Sequence, residues 1–329
     1  EDAYQASLEY LEKFPEEANG WDELALSYVS LGYPDSAEMA FEKVLEVAPD
    51  WSEFVRGYYV YFSGDLDRAI SIFEDVLESG AVDTEDSIEI MYHFTHYIYL
   101  PGVYYEAGRY TDALRVMDEA GRLVTGDRSF WQLQAASLYT MVGLADRALD
   151  IAAEMEKEDE IRSRFFALRF KGLAQVAAGD LEGAKESAAQ AHDQGHKVGN
   201  MLDYPAYMTE TKIALAEKDH EAALKILSEM KKIGNYFKGI IGVDNMVMLA
   251  EAHKLAGDLD RAVDVNKDLL HIYGGQALSH YELGKLYEQL GRQGEAKVHY
   301  ERFLEMWKNA DEGLPQPAYA RERLTILGK

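Results

Sequence analysis

The sequence has no cysteine, which removes disulfide staples, thiolate zinc sites and cysteine nucleophiles from consideration. It also lacks an apolar run approaching the roughly 18 to 20 residues that a membrane-spanning helix requires. No glycine-rich phosphate loop of the GxxxxGK type is present, nor a GxSxG elbow or an HExxH zinc motif. Basic residues are few, 33 against 59 acidic ones, and the net charge near -26 disfavours nucleic acid or an anionic membrane as a primary partner. The opening EDAYQASLEYLEKFP has neither an initiator methionine nor the basic and apolar regions of a signal peptide, so further chain is expected upstream.

What is present is a repeat. A glycine, or once a lysine, stands five residues before an alanine at Gly32/Ala37, Gly64/Ala69, Gly108/Ala113, Gly143/Ala148, Gly179/Ala184, Lys218/Ala223, Gly257/Ala262 and Gly291/Ala296. Successive alanines are 32, 44, 35, 36, 39, 39 and 34 residues apart. Upstream of Gly32, residues Trp21, Leu24, Ala25 and Tyr28 share one helical face, and downstream Ala37, Phe41, Val44 and Leu45 share another. The glycine supplies the positive φ of a tight inter-helix turn, the alanine lets the backbones approach, and Pro49 is expected to end the second helix. One unit is a helical hairpin.

The stretch WDELALSYVSLGYPDSAEMAFEKVLEVAP, Trp21 to Pro49, resembles a tetratricopeptide repeat at nearly every signature position. HYELGKLYEQLGRQGEAKVHYERFLEMW matches again through Leu283, Gly284, Tyr287, Gly291, Ala296 and Tyr300. The resemblance implies an all-α, right-handed superhelical solenoid of about eight hairpins over residues 18–312. Residues 1–17 would form the second helix of an incomplete repeat, and 313–329 a capping helix, all in one continuous array. The third hairpin, about 80–125, is enlarged. Its first helix is expected from about Thr84 to Ala107, lengthened by almost three turns, about 15 Å, and bent at Pro101. The tail HYERFLEMWKNADEGLPQPAYARERL also resembles the close of repeat arrays in large bacterial regulatory proteins, behind kinase or winged-helix domains.

Arrays of this family bind peptides or proteins along a concave wall built from the first helix of each hairpin. In the family, the wall-facing positions lie near the second, fifth, ninth and twelfth residues of a repeat. They fall on Asn19, Asp22, Leu26 and Val29, then Trp51, Phe54, Tyr58 and Tyr61, then Thr95, Ile98, Gly102 and Tyr105. The Lys, Asn and Arg set that grips carboxylate-ended chaperone tails is missing. An aromatic strip stands instead, and Trp51, Phe54, Tyr58, Tyr61, Ile98 and Tyr105 are the candidate partner-binding residues. The competing reading places these rings in the inter-helix core, where Tyr97, Leu100 and Tyr104 are also expected.

Two histidine pairs could hold a metal: Glu89 with His93 and His96, and His192 with His196, although Gly195 suggests that the second helix stops short. Neither has an identifiable fourth ligand, and core or surface histidines are the simpler reading. The stretches GHKVGNMLDYPAY and GNYFKGIIGVDN absorb the extra residues of the two long intervals as loops or helix extensions. The sequence reads as a non-catalytic interaction scaffold needing no cofactor and taking a protein or peptide partner. A sensor for a small molecule or signalling peptide, and a structural subunit docked through its open first hairpin, are the alternatives.

Overall fold

The computed structural model describes residues 2–48, 53–78, 99–124, 128–158, 161–198, 204–233 and 240–328, and every regular element among them is helical. The helices are α1 (Asp2–Lys13), α2 (Ala18–Ser30), α3 (Pro34–Val47), α4 (Glu53–Ser63), α5 (Leu66–Glu78) and α6 (99–106). They continue with α7 (Tyr110–Leu123), α8 (Ser129–Met141), α9 (Ala145–Met155), α10 (Ile161–Ala178), α11 (Leu181–Val198) and α12 (Tyr204–Ala216). The last are α13 (His220–Ile233), α14 (Ile240–Leu255), α15 (Leu259–Ile272), α16 (Ala277–Gln289), α17 (Gln293–Met306) and α18 (Pro315–Leu327). Consecutive helices pack as hairpins, α2 on α3, α4 on α5, α8 on α9, α10 on α11, α12 on α13 and α16 on α17.

The glycine–alanine pairing is the structural key. Gly32, Gly64, Gly108, Gly143, Gly179, Gly257 and Gly291 all have positive φ, and Lys218 at φ 62° does the same work without glycine. At seven of these eight turns, all but that of Gly64, the residue that follows donates its amide back across the helix end, as Tyr33 does to the Tyr28 carbonyl at 2.8 Å and Asp219 to that of Ala214 at 2.8 Å. Carbonyls that the helix end would leave without a partner are thereby satisfied. All eight paired alanines are fully buried. Any larger side chain there would push the two helices of the hairpin apart.

The chain forms two compact units, residues 117–266 and, discontinuously, 1–116 with 267–329. In the inner unit Tyr139, Met155 and Met208 are fully buried, and Tyr204, Leu227, Met230, Met248 and Ala252 share one cluster with Met208. The outer unit buries Phe41, Tyr59, Phe73 and Tyr104 towards its start and Tyr300, Phe303 and Trp307 towards its end. In the α16–α17 hairpin Gly284 lies so close to the Tyr300 ring that an added Cβ would stand 2.5 Å from it. One turn away, His280 and His299 meet through their Nδ1 atoms at 2.9 Å, and Tyr287 stacks on His299. Burial, and then the charges of His299 and Arg302, push the His280 imidazole down to about 3.

Leu100 and Tyr104 are buried in the core as expected, and Pro101 is buried within α6. The proposed reach of that helix back to Thr84, with Tyr97, lies outside the described residues, as does Pro49; α3 ends at Val47. The expected stop at Gly195 is corrected: α11 continues to Val198, because Gly195 is buried inside a helix whose interior face is set by Ala184, Ala188 and Ala191.

Candidate interaction surface

Of the six candidate strip residues, Trp51 and Ile98 lie outside the described residues, as do the side chains of Phe54 and Tyr58. Tyr61 and Tyr105 are described, and both are half-buried. Each sits three residues before its turn glycine, Gly64 or Gly108, so the repeat phase places them at matching points of consecutive hairpins. Within the outer unit the chain brings its own later segment up to both. The Tyr61 hydroxyl accepts a hydrogen bond from Gln276 Nε2 at 2.9 Å, and the same amide nitrogen donates to Glu106 Oε1 at 3.0 Å. Tyr105 stacks on Tyr110 at 5.2 Å, and Tyr110 meets Trp307 edge-on at 6.0 Å. Burial, followed by the charges of Glu106 and Asp311, pushes the Tyr110 phenol up to about 12.

The backbone makes the same approach. Gly274 donates to the Phe62 carbonyl at 2.9 Å, Arg302 Nη2 to the Gly64 carbonyl at 3.0 Å, and Asp311 to the Gly108 carbonyl at 3.0 Å. The Asp311 carboxylate accepts from the Thr111 amide and hydroxyl at 2.8 and 2.9 Å. Trp307 Nε1 donates to the Glu106 carbonyl at 2.7 Å, and Lys308 pairs with Asp67 at 2.5 Å. The last carbonyls of α4 and α6 thus find donors some 200 residues along the chain, where solvent or a cap would otherwise serve. Glycine is required for this closeness: an added Cβ at Gly64 would lie 2.7 Å from the Gly274 carbonyl oxygen, and one at Gly108 would lie 2.8 Å from the Trp307 ring. At Gly143, Gly179, Gly257 and Gly291 it would meet open space.

Elsewhere the expected wall is mixed. Leu26 is exposed but Val29 is buried, and Asp22 accepts a hydrogen bond from Tyr59 at 3.2 Å. Burial raises the Asp22 carboxyl despite that bond, and the Glu23 charge adds to the rise. Continuing the same register through the inner unit would have found Phe130, exposed on α8, with Phe166 and Arg169 on α10. Arg169 lies over the Phe170 ring at 5.3 Å and pairs with Asp244 at 3.5 Å. Other charges are structural. Asp118 accepts from Tyr139 at 2.7 Å and Arg147 at 2.6 Å, and those bonds overcome the upward push of burial to hold its carboxyl below the usual range.

The metal candidates Glu89, His93 and His96 lie outside the described residues, as does the His196 side chain. His192 contacts Glu210 at 3.1 Å and the edge of Tyr207. Among the described residues no three His, Cys, Asp or Glu side chains gather to hold a metal, and no helix is long and apolar enough to cross a membrane.

Residues 18–50 and 277–306 match the family model described as tetratricopeptide repeat, and they coincide with the α2–α3 and α16–α17 hairpins. Those two hairpins are tetratricopeptide repeats. No curated protein matches it. Among solved structures, the chain is similar to a tetratricopeptide repeat protein from Parabacteroides merdae, at 16% identity and TM-score 0.46, over 84% of this chain and 98% of that one. It is similar to a signal transduction ATPase with numerous domains and a tetratricopeptide-repeat sensor from Pyrococcus horikoshii, at 17% identity and TM-score 0.50, over 88% of this chain and 45% of that one. A third likeness is to a chain of the APC/C hetero-tetramer Cut9–Hcn1, at 14% identity and TM-score 0.47, over 99% of this chain and 59% of that one. At these identities the likeness concerns the fold. Tetratricopeptide repeats are in general protein-interaction scaffolds rather than catalysts.

Proposed function

We propose that this protein is a non-catalytic interaction module that holds a peptide or protein segment along the aromatic strip of Trp51, Phe54, Tyr58, Tyr61, Ile98 and Tyr105. The observation that supports this reading is the state of Tyr61 and Tyr105. Both rings keep part of their surface outward, yet one is held by Gln276 and the other by Tyr110. Fixed aromatic rings lose little conformational entropy when a partner arrives, which is what makes them effective anchors. The net charge near -26 favours neutral or basic segments over nucleic acid.

The test is selection of binders from a random peptide library, followed by titration of the selected peptides against Phe54→Ala/Tyr58→Ala. A drop in affinity of at least ~10-fold, about 1.4 kcal/mol, with helical circular dichroism unchanged supports the strip. Equal affinity for the variant and the parent places recognition elsewhere. Enrichment of acidic rather than neutral or basic peptides would contradict the charge argument.

A further inference from the structure

The contact between the two parts of the outer unit has a distinctive construction. On one side stand the turns of the first three hairpins, with Gly32 against His271, Gly64 against Gly274, and Gly108 against Trp307 and Ala310. On the other stand the α15–α16 connection, 273–276, and the residues that follow α17, 307–311. The bonds are made by turn backbones, helix ends and a few side chains: Gly274 to Phe62, Arg302 to Gly64, Gln276 to Tyr61 and Glu106, Asp311 to Gly108 and Thr111, and Lys308 to Asp67. Each hairpin on either side has its own buried core, such as Phe41 and Phe73 before the contact and Tyr300 and Phe303 after it. Separating the two sides therefore breaks edge contacts and exposes Trp307 and Tyr273, which are buried beside Tyr110 and Phe62, while leaving those hairpin cores intact.

We infer that this contact is an intramolecular clasp that opens as one step, without unfolding the hairpins it joins, and that it fixes the end of the aromatic strip at Tyr61 and Tyr105 while closed. Its opening is concerted because the bonds on each side hang from rigid hairpins. Lifting Asp311 from Thr111 moves the Trp307 and Lys308 contacts with it, and the single amide of Gln276 joins Tyr61 to Glu106 across two hairpins. The ring contacts across the seam include Phe62 with Tyr273 and Tyr110 with Trp307, and sub-global openings occur where such crossings are few beside the cores of the elements they join. The inference builds on the reading of the strip as a recognition surface only for its biological consequence. The opening itself is a property of the chain alone.

The Gly274 and Asp311 amides are direct reporters, because each donates across the seam. Native-state hydrogen exchange, measured without any peptide, compares them with interior helix amides such as Tyr59 and Phe303. We expect protection at Gly274 and Asp311 to be at least ~10-fold weaker than at the helix amides. A chain without cysteine allows a clean lock, Thr111→Cys/Asp311→Cys, since the two native side chains already touch at 2.9 Å. In the oxidised form Gly274 protection should rise to within about 3-fold of the helix amides. Equal protection of all four amides in the parent overturns the inference, and so does weak Gly274 protection that persists after oxidation, which would indicate local fraying. Should that pair fail to oxidise, Asp311→Ala decides: accelerated exchange at Gly274 with unchanged Phe303 is expected, and an unchanged Gly274 refutes concerted opening. Failure of the peptide titration leaves these outcomes untouched, so the two ideas fall separately.

Discussion

Acidification should loosen the α16–α17 hairpin through the half-buried pair His280 and His299. Two imidazoles whose Nδ1 atoms lie 2.9 Å apart share one proton, so one donates to the other and both are neutral. Burial, with His299 and Arg302 adding to it, pushes His280 from 6.5 down to about 3. His299 is lowered first by burial and then by the Lys267 charge, with Glu295 opposing. A histidine whose folded value is depressed binds its proton more readily when unfolded. Its contribution to stability is therefore full above about 6.5 and is lost as the pH falls from there towards about 3. At pH 5 the His280 shift alone corresponds to about 2 kcal/mol of lost stability relative to pH 8, and His299 adds in the same direction. Carboxylates elsewhere in so acidic a chain respond differently, so the measurement must be a difference. Hydrogen exchange of the α16 and α17 amides at pH 7 and pH 5, corrected for intrinsic rates, is compared between the parent and His280→Gln. The parent should lose roughly 30-fold more protection than the variant on acidification. Parallel losses in the two proteins would show that the pair is not a site of proton-linked strain, and would refute the reasoning.

Three substitutions probe the turns and the clasp. Lys218→Gly relieves the one left-handed non-glycine residue among those described, and should raise stability by about 0.5 to 1 kcal/mol in urea denaturation followed at the inner unit. Gly108→Ala combines a strained φ with a Cβ 2.8 Å from Trp307, whereas Gly143→Ala has the strain and open space; the former should cost about 1 to 3 kcal/mol more, read by thermal denaturation. Tyr273→Phe removes a buried hydroxyl that lacks a hydrogen-bond partner while keeping the ring against Phe62, so stability should hold or rise by about 1 kcal/mol in the same assay.

The hairpins were legible because their determinants are local. A positive-φ residue five positions before a small one sets the turn and the close approach together, and even Lys218 was found by phase when its residue type argued against it. Leu100 and Tyr104 followed from the same phase. Gly195 misled because a glycine near a helix end resembles a stop, while the alanine face of α11 carries the helix on. The clasp was beyond reach for a different reason. Tyr61 and Gln276 lie some 200 residues apart in the chain, and nothing near Tyr61 announces Gln276. The signal available in retrospect is the doubled glycine, Gly274 and Gly275, at a connection between hairpins, which permits the backbone to approach Phe62 and Tyr61 closely.

Repeat arrays usually gain and lose units easily, because each unit touches only its neighbours. Here residues 117–266 are inserted into a body that is completed by the segments on both sides of them. A fragment lacking either flank, 1–116 or 267–329, would lose the partners of the other, such as the Gly274 amide that meets the Phe62 carbonyl. The stability of the two flanks is therefore mutual, so that truncation at one end of the chain should be felt at the other.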